Sequence, residues 1–251
     1  WSPPGSATIA APSGSVGRPL IEPTIRQEGA GSAPVNARMI ASLSMYDWPH
    51  RRAANDALWA HIAEHLRGCG LHAPKKLSRP TDIHRHWRRP SLLISQTCAM
   101  PYRLGLWQWC DVIGTLDYGL PGCAPGQYCS AIIARADDPR EALSQFAGEV
   151  PAVNAPDSQS GWAALNHEVM RAGIKLAAPV VTGAHAGSIR AVAIGECTLA
   201  AIDAVSWGLA VESMPEAGRL KVIARSEPSP ALPFITARGQ DITAIQAGMA
   251  A

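Results

Sequence analysis

The sequence predicts an α/β protein with mostly parallel sheets, and three observations lead there. Short apolar runs of strand length alternate with amphipathic helical stretches from residue 38 onward, the pattern of βαβ units. At 251 residues the chain holds enough material for one large domain or for two lobes of ordinary size. Polar and aromatic residues also gather in the loops after the predicted strands, SMYDWP, QTCAMPY, LDYGLPG, NAPDSQSG, TGAHAG and IDAVSW, where open α/β sheets bind ligands. Those loops hold Tyr46, Tyr102 and Tyr118, three of only four tyrosines.

RMIASLSM (38–45) is the first strand and runs into the YDWP turn. Pro49 suits the first turn of the helix that follows, where Ala54, Leu58, Ile62 and Leu66 recur at i+4 along one face and Gly68 or Gly70 ends it. SLLISQT (91–97) reads as a buried strand, succeeded by a loop with Pro101 and Tyr102 and a short helix. DVIGTL (111–116) is a third strand, and the Gly/Pro-rich DYGLPGCAPGQ after it is a long loop of a kind that often serves function. Residues 128–135 return to strand, and DDPREALSQF resembles a helix capped by Asp138 ahead of Pro139. VPAVNAP is a strand leading into a helix that turns Leu165, Val169 and Ala172 inward and stops at Gly173. Next come a strand at 178–182, a helix from His185, the strand CTLAAID (197–203) and a helix over 205–211. LKVIARSE (220–227) is the last strand, followed by the Pro-broken EPSPALPFITAR and a final helix from near Asp241. No internal repeat is visible.

Composition narrows the function. Hydrophobic residues make up 47% and charged residues 17%, and no apolar run approaches the roughly 20 residues that would span a bilayer. A formal charge of +2 speaks against nucleic acid as a partner, because phosphate-backbone binding needs a dense basic face. The short cluster HRHWRRP (84–90) reads as a solvated helix face. The six cysteines, Cys69, Cys98, Cys110, Cys123, Cys129 and Cys197, show no CxxC pairing, and His84 with His86 lacks further ligands, so no metal and no cofactor is expected. Cys123 and Cys129 are close enough in sequence for a disulfide in an oxidising compartment, while buried free thiols are the alternative. Residues 1–37, rich in Gly, Pro, Ser and Ala, read as a disordered leader without a secretory signal pattern.

The stretch PDSQSGWAAL (156–165) places two serines, an aspartate and a glycine before an apolar helical run. It suits a helix cap, since Ser and Asp side chains satisfy the first backbone N–H groups. It equally suits an oxyanion seat, where those N–H groups and the helix dipole meet a phosphate-like ligand and Gly161 permits close approach. Ser160, His185 and Asp203 are also the residue types of a nucleophile, base and orienting acid. SQSG, however, lacks the leading glycine of a GxSxG nucleophile elbow, and neither GxxxxGK[ST] nor GxGxxG occurs, so a Ser-dependent hydrolase is the weaker reading and no enzyme is expected.

Taken in order, SMYDWP, QTCAMPY, GTLDYGLPGC, ARADDPR, PDSQSG, GAH, AAIDAVSW and EPSPALPFITAR resemble the phosphonate/phosphate/phosphite substrate-binding proteins of ABC importers, over about residues 38–238. The resemblance implies a type II periplasmic-binding-protein fold, a Venus flytrap whose two lobes are joined by two hinge crossover strands, near 128–133 and 220–224. Lobe 1 would be 38–127 plus 219–251, and lobe 2, inserted, 128–218. Ser158, Gln159, Ser160 and Gly161 match the family's oxyanion-binding helix start, His185 its ligand-facing histidine, and Tyr46 and Tyr102 the first-lobe residues that close over the ligand; Thr97, Tyr118 and Asp203 complete the expected set. Where aminoalkyl-phosphonate binders carry carboxylates for the amine, this chain has Val205 and Leu232, with Asp203 nearby. The implied partners are a small phosphorus oxyanion and an ABC permease, and the implied state a monomer in the periplasm. The rival reading is a cytosolic or sensor-linked small-anion domain on the same clamshell, which the leader does not contradict.

Overall fold

The computed structural model describes Ile9–Ala10 and residues 38–250. The leader expected over 1–37 lies outside the described residues except for Ile9–Ala10, a short edge strand, β1, paired antiparallel with Leu116 and Thr115. The chain continues through β2 (Ile40–Ser42), α1 (Arg52–Gly68), α2 (Ile83–Trp87), β3 (Leu92–Gln96), α3 (Ala99–Leu104) and β4 (Cys110–Leu116). It then forms β5 (Gln127–Tyr128), β6 (Ser130–Arg135), β7 (Pro151–Val153), α4 (Ala164–Arg171), β8 (Val180–Val181), α5 (His185–Ala193), β9 (Leu199–Asp203) and α6 (Ala204–Ser213). β10 (Leu220–Arg225), β11 (Ser229–Pro230), β12 (Pro233–Ala237) and α7 (Ile242–Ala250) close it.

The strands build two five-stranded sheets, ordered β1-β4-β12-β3-β2 and β10-β6-β9-β7-β8, with a two-stranded ribbon β11-β5 between them. Strand alternation gives each sheet two apolar faces. In the second sheet Ala131 and Ile133 of β6 and Ala200 and Ile202 of β9 face one core with Ile189 and Val192 of α5, while Ile132, Ala134, Leu199 and Ala201 face another with Leu165, Val169 and Phe146. In the first sheet Leu93, Ile113 and Phe234 pack under Trp59, Ala63 and Leu66 of α1 and Ile245 of α7. Leu92, Cys110, Ile235 and Ala237 pack against Trp87 and Leu106 on the opposite side.

Six expectations change. The sheets are mixed, not mostly parallel: only β2–β3, β7–β8 and β7–β9 pair in parallel. β6 begins where β9 ends, Ser130 opposite Asp203, and β12 begins where β4 ends, Pro233 opposite Thr115. Chain arriving from the other sheet thus enters at the loop end and must run away from it, antiparallel to its neighbour. β12 itself lies in the Pro-broken stretch, because Pro233 occupies the first strand position, where a missing N–H costs little. β10 pairs with β6 inside the second sheet, so 220–225 belongs there and not to lobe 1, and the chain passes between the sheets at 127–130 and 225–229 beside the ribbon.

The expected helix over 137–146 is only a 3-10 turn at Leu143–Phe146. Asp138 engages the backbone and guanidinium of Arg140, and Gln145 Oε1 accepts from Glu141 N and Ala142 N, which removes the donors a helix would start from. The buried face of α1 is Trp59, Ala63 and Leu66 with Ile62 at its margin, while Leu58 is 47% exposed. An i+4 series drifts around a 3.6-residue helix, and the large indole of Trp59 sets which stripe faces inward. The basic cluster at 84–90 forms α2, but it is not wholly solvated: His86 and Trp87 are buried.

Candidate functional site

All the loops singled out above emerge at the facing ends of the two sheets, but not every side chain on them turns inward. On the second sheet, β7 ends at Asn154 and the chain turns into α4 through a π-helical opening, Gln159–Ala163, in which Trp162 N and Ala163 N both donate to Ser158 O. Ser158 Oγ accepts from Gly161 N at 3.0 Å, so this serine is a true helix cap. Gly161 serves a purpose different from that expected. A Cβ there would lie 1.9 Å from Asn154 Oδ1, so the glycine admits the Asn154 side chain against the helix start.

Ser160 is held on both sides. Its Oγ lies 2.9 Å from His185 Nε2, at the first turn of α5, and its carbonyl accepts from Ser130 Oγ at 2.9 Å. His185 is half-buried as a residue, yet its ring Nδ1 is sealed from solvent without a hydrogen-bond partner. Burial lowers its pKa to about 4, so the imidazole is neutral at physiological pH. No acid orients the ring. Asp203, the expected third member of a triad, instead accepts from Ser206 N at 2.8 Å through Oδ1, capping α6, and from Tyr46 OH at 2.8 Å through Oδ2. Burial raises the Asp203 pKa to about 6 despite these donors.

From the first sheet, Tyr46 reaches across to Asp203, and its loop is fastened by Asn55, which donates to Tyr46 O and to Asp47 Oδ1. Tyr118 packs edge-on against Tyr46 with ring centroids 5.5 Å apart and receives a hydrogen bond from Gln96 Nε2 at 2.5 Å. Burial raises the pKa of both phenols, so both remain donors. Gln159 N donates to the thiol of Cys98 at 3.2 Å, a contact from helix start to opposing loop. The rim is tied by Arg51 with Glu212 at 2.6 Å and His84 with Asp157 at 3.5 Å. The structure is therefore a closed form, its two sheets' loops in direct contact.

Two expected residues do not join the constellation. Tyr102 turns into the core beneath the first sheet, among Trp87, Leu92, Leu106 and Cys110, its hydroxyl 3.4 Å from Cys110 O. Thr97 is fully buried at the end of β3, where its N–H donates to Pro233 O and its hydroxyl to Cys98 O. Four residues that the sequence reading passed over do join it: Cys98, Asn154, Ser130 and Tyr128. The Tyr128 hydroxyl is buried beside Ser160 and Cys98 without a partner in hydrogen-bond geometry. Its ring forms an apolar wall with Ala231 and Leu232, against which Met45, Tyr46, Tyr118 and Leu120 pack. Tyr128 had one available signal, its place at a predicted crossover between lobes.

The site is thus an enclosed set of neutral donors, with one capped carboxylate at its side and an apolar wall. Two sheets joined by paired crossovers and closed over such a set define a two-lobed periplasmic-binding-protein fold of the Venus flytrap type. The chain belongs to the family of ABC transporter, phosphonate, periplasmic substrate-binding proteins, whose model matches residues 119–250, more than half of the chain. That family is a substrate-binding transporter component, not an enzyme. Among solved structures, PhnD1 from Prochlorococcus marinus, in complex with methylphosphonate, is similar at TM-score 0.66 and 11% identity, over 84% of this chain and 83% of that one. A binding protein component of an ABC phosphonate transporter from Pseudomonas aeruginosa is similar at 0.58 and 16% identity, over 83% and 72%. The periplasmic VFT2 domain of BvgS from Bordetella pertussis is similar at 0.56 and 15%, over 84% and 85%. No match was found among curated protein sequences. No helix among the described residues is long and apolar enough to cross a membrane.

Proposed function

We propose that this chain captures a small phosphonate bearing a compact apolar substituent, by lobe closure, for an ABC permease in the periplasm. The observation that carries the reading is the Ser160–His185 pair set at a helix start and covered by the Tyr46–Asp203 bond from the other sheet. The oxyanion docks on residues 158–161 and His185, where hydrogen bonds to a charged ligand contribute roughly 1.5–3 kcal/mol each. No lysine or arginine is needed, because helix N–H groups and hydroxyl dipoles hold the charge. Tyr46, Tyr118 and Tyr128 close over it, and the substituent lies against Ala231 and Leu232.

That wall selects the ligand. An ammonium group needs a carboxylate facing it, and Asp203 is 2% exposed with its oxygens turned to Tyr46 OH and Ser206 N. Methylphosphonate is therefore preferred over 2-aminoethylphosphonate, with phosphite and phosphate as smaller candidates. The two lobes are the two sheets, the second built from residues 130–225. A thermal-shift panel with these four anions tests the reading, since a ligand at 100 times its Kd adds about 2.7 kcal/mol to stability. A rise largest with methylphosphonate supports it; a rise with none of the four sinks it.

A likeness in fold to a histidine kinase sensor domain supports a second reading, a sensor-linked anion-binding domain. Permease and ATPase genes beside this one would favour transport, and a kinase gene would favour sensing.

A further inference from the structure

Away from the anion seat, two thiols lie together at the hinge. Cys129 is buried between β5 and β6, on the segment that carries Tyr128 and Ser130 from one sheet to the other. Cys123 is half-buried on the loop that leaves β4 through Tyr118 and Leu120. Two turns fold that loop back on itself: Cys123 N donates to Leu120 O at 3.1 Å, and Gln127 N donates to Ala124 O at 2.9 Å while Gln127 Oε1 accepts from Ala124 N. Gly122 and Gly126 supply the positive φ angles, 80° and 75°, that this path requires. The result places the thiol of Cys123 against that of Cys129, with Arg225 Nη1 3.9 Å from Cys129 Sγ. Of the other cysteines, Cys98 accepts from Gln159 N and Cys110 donates to Trp87 O.

We propose that Cys123 and Cys129, both free in this structure, form a dithiol that closes to a disulfide under oxidising conditions and pins the loop of Tyr118 and Leu120 to the crossover strand of Tyr128. A low-molecular-weight disulfide is the oxidant. Cys123, the more accessible thiol, loses its proton and attacks one sulfur of that disulfide, releasing one small thiol and leaving a mixed disulfide. Cys129 then loses its proton and displaces the second small thiol, so two protein thiols are oxidised and one disulfide is reduced to two thiols. Burial and the Cys129 thiol push the Cys123 pKa up to about 11, which slows exchange near neutral pH. The same disfavoured Cys123 thiolate is a poor leaving group, which slows reduction of the closed bridge. Because Tyr118, Leu120 and Tyr128 pack in one cluster, the bridge would fasten the wall of the ligand site to the hinge.

The test needs no ligand, so it stands apart from the reading above. Residues 104–134 contain no lysine or arginine, so the tryptic peptide ending at Arg135 carries Cys110, Cys123 and Cys129. The folded chain is incubated with oxidised glutathione at about pH 8.5, where thiolate is more plentiful, then denatured, alkylated and digested. The expected peptide carries one alkyl group, on Cys110, and an internal bridge; prior reduction gives three alkyl groups, and Cys110→Ser with oxidation gives none. The oxidised chain should unfold roughly 3–8 °C above the reduced one, as a short closed loop in a chain of this size implies. Cys123→Ser should abolish the response to oxidant while leaving the reduced midpoint in place. Three alkyl groups after oxidation, a glutathione adduct retained on Cys123, or a bridge that needs Cys110 would each overturn the proposal. A bridge that forms without moving the midpoint would overturn the pinning.

Discussion

On the second-sheet side of the cleft the two serines of the helix start are bonded to neighbours within their own lobe: Ser158 caps its own helix, and Ser160 lies between Ser130 and His185. On the first-sheet side the groups are long aromatics that meet each other and reach outward, Tyr118 against Tyr46 and Tyr46 onto Asp203. The contrast separates a seat from a cover. A seat whose donors are already positioned loses little on receiving an anion, whereas a cover that bonds across the gap can release and re-form as the lobes move.

Damage to the seat should cost most. Gly161→Ala drives a Cβ into Asn154 Oδ1, and overpacking of this kind removes about 1–3 kcal/mol of stability, readable by urea unfolding. Methylphosphonate binding should fall roughly a hundredfold in the same variant, as two or more donors are displaced. Unchanged binding in that variant would mean that the helix start is not the seat. Ser160→Ala removes one donor without adding bulk, so calorimetry should show binding weaker by about 1.5–3 kcal/mol, and because it leaves the buried His185 ring without its partner the variant should also lose about 1–3 kcal/mol of stability. On the cover side, Tyr46→Phe deletes only the bond to Asp203 and should weaken binding by about 1 kcal/mol, the ordinary net value of one hydrogen bond. A loss larger than that of Ser160→Ala would reverse the assignment of seat and cover.

The smallest effect is in pH, where the two sides oppose each other. Burial lowers the His185 pKa to about 4, so between there and its ordinary value near 6.5 the unfolded chain binds more protons and stability rises with pH. Burial raises the Asp203 pKa to about 6, so between its ordinary value near 3.9 and that point the folded chain binds more protons and stability falls with pH. Over roughly pH 4–6 the two slopes nearly cancel. His185→Gln should unmask a decline with rising pH, and Asp203→Asn a rise. Identical profiles in both variants would show that neither group titrates as its burial implies.

Most of the fold was legible because periodicity and loop position report it directly: the strands at 91–97, 128–135 and 197–203 stand in the structure where the pattern put them, while the short helix expected beyond the loop of Pro101 and Tyr102 takes in both residues as α3. What the pattern missed depends on contacts distant in sequence. β12 reads as Pro-broken, and only its two sheet neighbours make it a strand. The 137–146 stretch has a helix's opening residues, but its donors are drawn off by side chains of Asp138 and Gln145. That 158–161 opens a helix was legible because a helix start has a local signature, whereas the meeting of Ser160 with His185 was implied only by the resemblance. Tyr102 misled because its position in a loop after a strand does not fix its rotamer, and it turned into the core. Cys98 and Tyr128 escaped because a thiol or phenol at a strand end carries no pattern until the opposing lobe is brought against it.

The central claim is that a small phosphonate with an apolar substituent sits between the seat and the cover. Isothermal titration of methylphosphonate and 2-aminoethylphosphonate into the wild-type chain and into Ser160→Ala tests it most directly. The account predicts saturable 1:1 binding of methylphosphonate to the wild type, at least roughly tenfold tighter than the amino compound, as one misplaced charged group implies, and marked weakening in Ser160→Ala. Equal affinity for the two phosphonates, or methylphosphonate affinity untouched by Ser160→Ala, would contradict it.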